Sequence, residues 1–278
     1  MRAVNQPVSW WGWHWEPPVP MSIVEILQAG NMPPRLAAMF WLAMERGASI
    51  IIAADPPSAG KTATLTALLS LTPPETLGYF TSGMGETFTL PARTDAHPTY
   101  ILVNEMSDHL PVYTWGEYSR RCFELMAEGY SLATTVHANT VDEVLAILRD
   151  ELDIPPAHIG KLTFIAPLHL SYGPGGMDSA RRRVREVAYF QPDGSDGFSY
   201  RSIVRWDEHT DSFSILESED DRQALAAWCG LTAEAMMREI DEREAFLTRL
   251  VESGTSEIPE VNAAIVRYYA EDIRAMRG

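Results

Sequence analysis

The residues best placed to do chemistry are Gly60-Lys61-Thr62, which lie between the apolar run Ile50–Ala54 and an amphipathic segment. In a strand–loop–helix unit of this kind, backbone N–H groups and the helix N-terminus face a bound phosphate. The lysine supplies positive charge to the β- and γ-phosphates of a nucleotide, and the threonine hydroxyl ligates Mg²⁺. The pattern therefore predicts a nucleotide-binding loop made by Ser58, Ala59, Gly60, Lys61, Thr62 and Ala63.

Lysine is rare in this chain, which makes its positions informative. Lys61 and Lys161 are the only lysines in 278 residues, and chance places one of two between glycine and threonine with odds of roughly a few per cent. The loop departs from the G-x-x-x-x-G-K-[ST] pattern at its first position, where Asp55 replaces glycine and is followed by two prolines that lack N–H donors. Both departures predict weaker phosphate binding. The alternative is a glycine-capped turn with a solvated lysine.

A second candidate is the carboxylate of Glu105, which ends the apolar run Tyr100–Asn104. An apolar strand that ends in a carboxylate is what a Walker B element requires, because the acid must reach Mg²⁺ or the attacking water. Its position after the phosphate loop favours this assignment, with Thr62 and Glu105 as the metal ligands. Asp108 lies close by, and its position is more typical of a loop or helix-cap aspartate.

A third candidate is His137, which follows the β-rich run Leu132–Val136 and precedes a helix with Thr140 as its expected N-cap. Because the carboxyl ends of parallel strands meet at a ligand crevice, the histidine would lie near the γ-phosphate. There it would act as a donor that distinguishes ATP from ADP. The alternative is a structural histidine whose hydrogen bonds are satisfied inside the fold.

Alternating strands and helices carry these candidates. Strands are predicted at Ser49–Ala54, Leu77–Thr81, Tyr100–Asn104 and Ser131–Val136. Helices are predicted near Met21–Gly30, Pro34–Glu45, Thr62–Ser70, Thr114–Glu128 and Val141–Leu152. This alternation predicts an α/β fold with a doubly wound parallel sheet.

The chain divides into three predicted regions. Residues 1–20 form a Trp- and Pro-rich leader, whose tryptophans between Trp10 and Trp15 either cover the domain surface or await a partner. Residues 21–170 form the P-loop core. Residues 171–278 form a β-hairpin, with strands Arg183–Phe190 and Phe198–Trp206, and an acidic helical extension.

The composition of the chain argues against several classes of protein. A formal net charge of −16 argues against a nucleic-acid-binding surface, which needs lysines and arginines to neutralise phosphates. The longest apolar runs are too short to span a bilayer, and no signal peptide is recognisable. Two cysteines far apart in sequence indicate neither a disulfide framework nor a zinc site. We therefore expect a cytoplasmic protein.

Together these motifs resemble the type II/type IV secretion ATPase superfamily, the hexameric motors of secretion systems, pili and archaella. Gly129–Asn139 is similar to the His box of that family and Asn104–Asp108 to its Walker B element. The stretches similar to the C-terminal region of the archaeal branch are Arg182–Val187, Val204–Asp207, Gly230–Glu234, Glu239–Leu250 and Ile265–Tyr269.

The resemblance implies a RecA-like P-loop NTPase core with ATP and Mg²⁺ as cofactors. By this resemblance, Lys61 and Thr62 bind phosphate and Mg²⁺. Glu105 and His137 are the implied catalytic residues: Glu105 acts on the attacking water, and His137 senses the γ-phosphate. The implied partners are further copies of the chain, as a homo-oligomer or hexamer, and a polytopic membrane platform protein. The implied location is the cytoplasm, peripheral to the inner face of the membrane.

The sequence also departs from the family pattern. About twenty residues precede the first helix where family members carry a separate N-terminal domain. The acidic Asp box retains Glu86 alone, and residues 87–99 offer only Arg93 where the family uses several arginines on neighbouring subunits. An arginine finger is worth orders of magnitude in rate.

Two functions therefore remain open: an ATPase of this superfamily, and a nucleotide-binding adaptor or regulator with little or no turnover. The basic cluster Arg181, Arg182, Arg183 and Arg185 is the best remaining source of positive charge. It is expected either to contact acids on a neighbouring copy in ATP-dependent oligomers or to be a solvated strand edge that discourages aggregation.

Overall fold

The computed structural model describes residues 2–4, 6–8, 11, 19–94, 97–194 and 196–277. Trp10, Trp13 and Trp15, whose placement the sequence leaves open, lie outside the described residues. Trp11 is described, and it is buried against the edge of Phe80 with ring centroids 5.0 Å apart. This part of the leader therefore covers the surface of the domain.

A large, mostly parallel sheet forms the centre of the molecule. Its described strands are β1 Arg2–Ala3, β2 Ile50–Ala53, β3 Leu77–Phe80, β4 Thr99–Met106, β5 Ser131–Val136, β6 Phe164–Gly173, β7 Gly176–Val184, β8 Glu186–Asp193, β9 Gly197–Asp207 and β10 Ser212–Ile215. The order across the sheet is β1-β3-β4-β5-β2-β6-β8-β9-β10, and β7 pairs with β6. Strands β3, β4, β5, β2 and β6 are parallel, and the remaining pairs are antiparallel.

Helices cover both faces of the sheet. They are α1 Ile23–Gln28, α2 Pro34–Glu45, α3 Lys61–Leu69, α4 Glu117–Ala127, α5 Val141–Ala146, α6 Pro156–Ile159, α7 Glu219–Cys229, α8 Ala233–Glu252 and α9 Ile258–Arg277, with a π-helical turn Ile147–Glu151 directly after α5. None of the helices in the described residues is long and apolar enough to cross a membrane.

The all-apolar sequence of β2 follows from burial on both faces. Alternate side chains of a strand point to opposite faces, and Ile50 and Ile52 join the core under α1, α2, α3 and the C-terminal helices. Ile51 and Ala53 join a second core under α4, α5 and α6. The expected α/β architecture with a parallel sheet is therefore present.

The C-terminal helices pack back onto the core instead of projecting from it. Helix α8 lies against α2, where the buried guanidinium of Arg243 pairs with Glu45 at 2.7 Å and with Glu239 at 2.9 Å. The Tyr269 hydroxyl of α9 accepts a hydrogen bond from Trp41 Nε1 at 2.6 Å. Burial lowers the pKa of Arg243, and Glu45, together with Tyr268 and Glu239, more than reverses that effect.

Two differences from the expected elements concern the region after Lys161. Strand β6 runs across residue 170, so the hairpin region continues the main sheet. The predicted strand Arg183–Phe190 is divided at Arg185: the chain before it belongs to β7, and the chain after it pairs with β9 as β8. The β8–β9 hairpin itself was expected, whereas β6, β7 and β10 were not.

Candidate functional site

The loop between β2 and α3 has the backbone geometry that an anion-binding loop needs. Gly60 has φ +92°, a left-handed conformation that glycine adopts without steric cost, and Ser58 has φ 61°. Lys61 is the first residue of α3, so the unpaired N–H groups of the first helical turn open at this loop. The dipole of the helix makes the same end favourable for negative charge.

Strand β4 brings Glu105 to this loop through an irregularity in its pairing. The register between β4 and β5 shifts between Val103 and Met106. The Thr135 hydroxyl donates to the Asn104 carbonyl at 2.7 Å and satisfies the backbone at the irregularity. The Asn104 side-chain amide forms hydrogen bonds with the main-chain N–H and carbonyl of Trp11. Asn104 thus fixes Trp11, and Glu105 faces the loop.

His137 reaches the same point because β5 lies between β4 and β2. Its Nε2 lies 3.1 Å from Glu105 Oε2, and its Nδ1 lies 2.9 Å from the Asp55 carbonyl and 3.5 Å from Lys61 Nζ. Lys61 Nζ donates to the Ala54 carbonyl at 2.8 Å and lies 3.9 Å from Glu105 Oε2. Three residues separated by 32 to 76 positions in sequence therefore converge beside the loop.

The electrostatics of this cluster follow from burial and from Glu105. Burial lowers the pKa of Lys61, although Glu105 and Asp55 act in the opposite direction. The hydrogen bond to Glu105 raises the pKa of His137 against the effect of burial. Burial, aided by Glu105, raises the pKa of Tyr113 to about 12. The second carboxylate oxygen of Glu105, Oε1, is buried and has no hydrogen-bond partner within the described residues.

A cavity of about 530 Å³ opens over the loop. All six residues of the predicted loop line it, together with Glu105, His137 and Tyr113. A more apolar part is formed by Val19, Met21, Ile26 and Ala29. Strand β7 also borders the cavity, through Ala180 and Arg182. A volume of this size is in the range of small-ligand sites.

The donor set fits the expected metal. Mg²⁺ in nucleotide sites is held by one or two protein oxygen ligands together with phosphates and water. The Thr62 hydroxyl and the Glu105 carboxylate line one cavity and are oxygen ligands of that kind. Within the described residues, no group of three or more His, Cys, Asp or Glu side chains is arranged to hold a metal ion.

Two candidates lie away from this cluster. The Glu86 carboxylate accepts hydrogen bonds from the Tyr79 hydroxyl and from the N–H groups of Ser82, Thr87 and Phe88, so it holds its own loop. Burial raises the pKa of Glu86, but these donors outweigh it and lower the pKa. Arg93 donates to the Glu128 carbonyl at 2.8 Å, at the amino-terminal edge of the parallel strands.

Two arginines of the basic cluster make side-chain contacts inside the chain. Arg183 binds both carboxylate oxygens of Asp211 at 2.8 Å, and the Arg182 Nε donates to the Ser58 carbonyl at 2.9 Å. Sequence reasoning missed the contact of Arg182 with the Ser58–Ala63 loop. It also missed Asn139, whose Oδ1 accepts from the Asp55 N–H at 3.3 Å. Its place in the segment His137-Ala138-Asn139 was the available signal.

Comparison with known proteins shows sequence similarity to a protein whose function is not given. No protein-family model matches the chain. An uncharacterized protein of Methanocaldococcus jannaschii is 23% identical over 254 residues, which covers 81% of this chain and 90% of that protein. The similarity extends over most of both chains and names no activity.

Proposed function

We propose that this protein is an ATP-binding and ATP-hydrolysing P-loop protein with a RecA-like core, related to the assembly motors of secretion systems, pili and archaella. The convergence of Lys61, Glu105 and His137 beside the Ser58–Ala63 loop carries the proposal. A cation for phosphate, a carboxylate and a hydrogen-bond donor are what nucleotide hydrolysis needs at one point. The strand order supports the same conclusion, because β5 separates the loop strand from the carboxylate strand.

Each residue has a distinct task in this proposal. The N–H groups of the loop and Lys61 bind the phosphates, and Thr62 with Glu105 holds the metal. Bound Mg²⁺ supplies charge neutralisation at the phosphate oxygens. Glu105 orients the attacking water and accepts its proton. His137 Nε2 lies 3.1 Å from Glu105 Oε2 and Nδ1 lies 2.9 Å from the Asp55 carbonyl, so the histidine fixes the carboxylate and donates to the γ-phosphate only when the nucleotide replaces one of these two contacts.

The second candidate function is a nucleotide-binding adaptor with little turnover. Two contacts favour it. Glu86 is engaged by four donors of its own loop, and Arg93 caps a helix at the far edge of the sheet. Neither residue lines the cavity over the loop, so neither contacts a nucleotide bound there by the same chain. Asp55 in the loop adds negative charge beside the phosphates.

We further propose that the protein works in the cytoplasm at the inner face of the membrane. Its partners would be further copies of itself and a polytopic membrane platform protein. This part of the proposal rests on the family resemblance of the motifs in the sequence, with nucleic acid not expected as a partner because of the net charge of −16.

Two measurements on the wild-type protein test the proposal. Calorimetry with ATP and Mg²⁺ is expected to give saturable binding, and phosphate release under the same conditions is expected to show multiple turnovers. Binding with less than one phosphate released per chain would favour the adaptor. No saturable binding up to millimolar ATP would refute both candidate functions.

A further inference from the structure

Arg182 lies over the phosphate loop from a part of the chain outside the loop–strand core. It belongs to β7, which pairs with β6, and its cross-strand partner there is Leu170. Its Nε donates to the Ser58 carbonyl at 2.9 Å. A Cβ atom placed on Gly60 would lie 3.2 Å from Arg182 Cδ, so the arginine stem rests directly on the loop.

The guanidinium is anchored by one nitrogen and free at the others. Within the described residues, the two terminal nitrogens of Arg182 make no hydrogen bond or ion pair, while the side chain lines the cavity. Lys61, by contrast, lies on the inner side of the loop and is held by the Ala54 carbonyl. A phosphate that rests on the loop N–H groups would therefore have one cation on each side.

The neighbours of Arg182 fix the strand that carries it. Arg183 forms a two-bond pair with Asp211, which also accepts from Trp206 Nε1 at 2.8 Å. The Val184 N–H donates to the Asn31 carbonyl at 2.8 Å, which ties β7 to the segment after α1. A bidentate arginine–carboxylate pair is geometrically specific. The part of β7 that carries Arg182 is thus held by contacts with Asp211 and with the segment after α1.

We propose that Arg182 is the phosphate-binding arginine of this site and that it acts on the nucleotide bound by its own chain. The inference rests on the proposed nucleotide-binding function and deepens it. Arginine matches phosphate oxygens with a planar fork of donors, and two of those donors are unused here.

The first test compares two adjacent arginines that alternate along β7. Arg182→Gln is expected to weaken MgATP binding about tenfold or more in calorimetry, which is the loss expected when a hydrogen bond to a charged group is removed. Arg181→Gln removes the same charge from an exposed neighbour outside the cavity and is expected to leave the affinity within about twofold. A loss under about threefold for Arg182→Gln overturns the assignment.

Thermal unfolding without nucleotide separates binding from a structural role. Arg182→Gln and Arg181→Gln are expected to unfold at similar temperatures. If Arg182→Gln lowers the Tm by several degrees and Arg182→Lys, at the wild-type Tm, recovers no ATP affinity, the arginine only stabilises the loop and the proposal is wrong. Arg182→Lys keeps the charge and is expected to recover part of the ATP affinity.

A mixing experiment tests whether the arginine acts within its own chain. Lys61→Ala keeps Arg182 but has a disabled loop, and Arg182→Gln keeps the loop. If Arg182 acts within its own chain, an equimolar mixture binds ATP no better than Arg182→Gln alone. Recovery of wild-type affinity in the mixture would assign the arginine to a neighbouring copy. If the wild type itself binds no ATP, the proposed function fails, which is a different result from either of these.

Discussion

The two lysines of this chain lie at opposite edges of the same parallel sheet, and each borders a cavity that also contains an arginine. Lys61 follows β2 at the carboxyl ends of the strands, in the cavity with Arg182. Lys161 precedes β6 at the amino ends, in a cavity of about 420 Å³ with Arg93. The Lys61 side chain is 9% exposed and makes three close contacts with protein groups, whereas Lys161 is exposed.

The polarity of the helices explains why similar residues have different uses at the two edges. At the carboxyl edge, α3 begins, and its free N–H groups attract anions. At the amino edge, helices end, and their last carbonyls attract cations. Arg93 donates to the Glu128 carbonyl after α4, and Arg46 donates to the Leu42 carbonyl at the end of α2. Basic residues there complete helix ends, so they do not form an anion site.

The largest expected effect comes from replacing each of the two lysines with alanine in turn. Lys61→Ala removes the cation at the loop, and we expect ATP affinity to fall at least about 100-fold, with hydrolysis lost as a consequence. Lys161→Ala removes the same charge at the other edge and is expected to leave ATP affinity unchanged. Calorimetry on the two variants and the wild type measures both. Equal affinity in wild type and Lys61→Ala would refute the phosphate-loop assignment.

Glu105→Gln is expected to separate hydrolysis from binding. The amide keeps the shape of the side chain but cannot accept a proton from water, so the hydrolysis rate should fall about 100-fold or more. ATP affinity should hold within a few fold, because the amide oxygen can still ligate Mg²⁺ and one negative charge leaves the neighbourhood of the phosphates. Phosphate release and calorimetry on the same preparation give the two numbers. Loss of both, or of neither, would make Glu105 a structural residue.

Arg93→Ala sharpens the contrast between the edges with a smaller effect. The side chain caps the end of α4 and packs against Gly129, so its loss should cost about 1 kcal/mol or less in the free energy of unfolding. ATP affinity should be unchanged, in contrast to Arg182→Gln. Urea unfolding and calorimetry test the pair. A clear loss of ATP affinity in Arg93→Ala would mean that this edge meets the nucleotide of another copy.

The core of the site was predictable because it depends on local patterns. Apolar runs at β2 and β4 indicate strands buried on both faces, and the β-rich run at β5 indicates a third strand. Once those strands are parallel and consecutive motifs follow their carboxyl ends, the loop, Glu105 and His137 must lie near one another. To place these residues near one another, it was enough to predict that the strands form one parallel sheet.

The remaining wall of the site depends on pairings that local patterns do not contain. Pro167 lies in the middle of the β6 sequence, which argues against a central strand. In the structure it is the last residue of β6 paired with β2, opposite Ala53, and the chain beyond it pairs with β7. The return of β7 then decides that Arg182 lies over the loop. Similarly, only the folded loop shows that Glu86 is occupied by four donors.

The smallest expected effect concerns the pH dependence of the His137–Glu105 contact. Because the hydrogen bond to Glu105 raises the pKa of His137 in the folded state, the charged imidazolium stabilises the fold. That contribution is fully present below the unfolded pKa of about 6.5 and is lost as the pH rises through the higher folded value. The imidazole is 30% exposed, so solvent screening limits the effect to about 0.5–1 kcal/mol. Urea unfolding of wild type and His137→Gln should therefore show a wild-type advantage near pH 6 that shrinks as the pH rises through the raised folded pKa of His137. An advantage that grows with pH would mean that the histidine is bound in its neutral form, with Glu105 held by another donor.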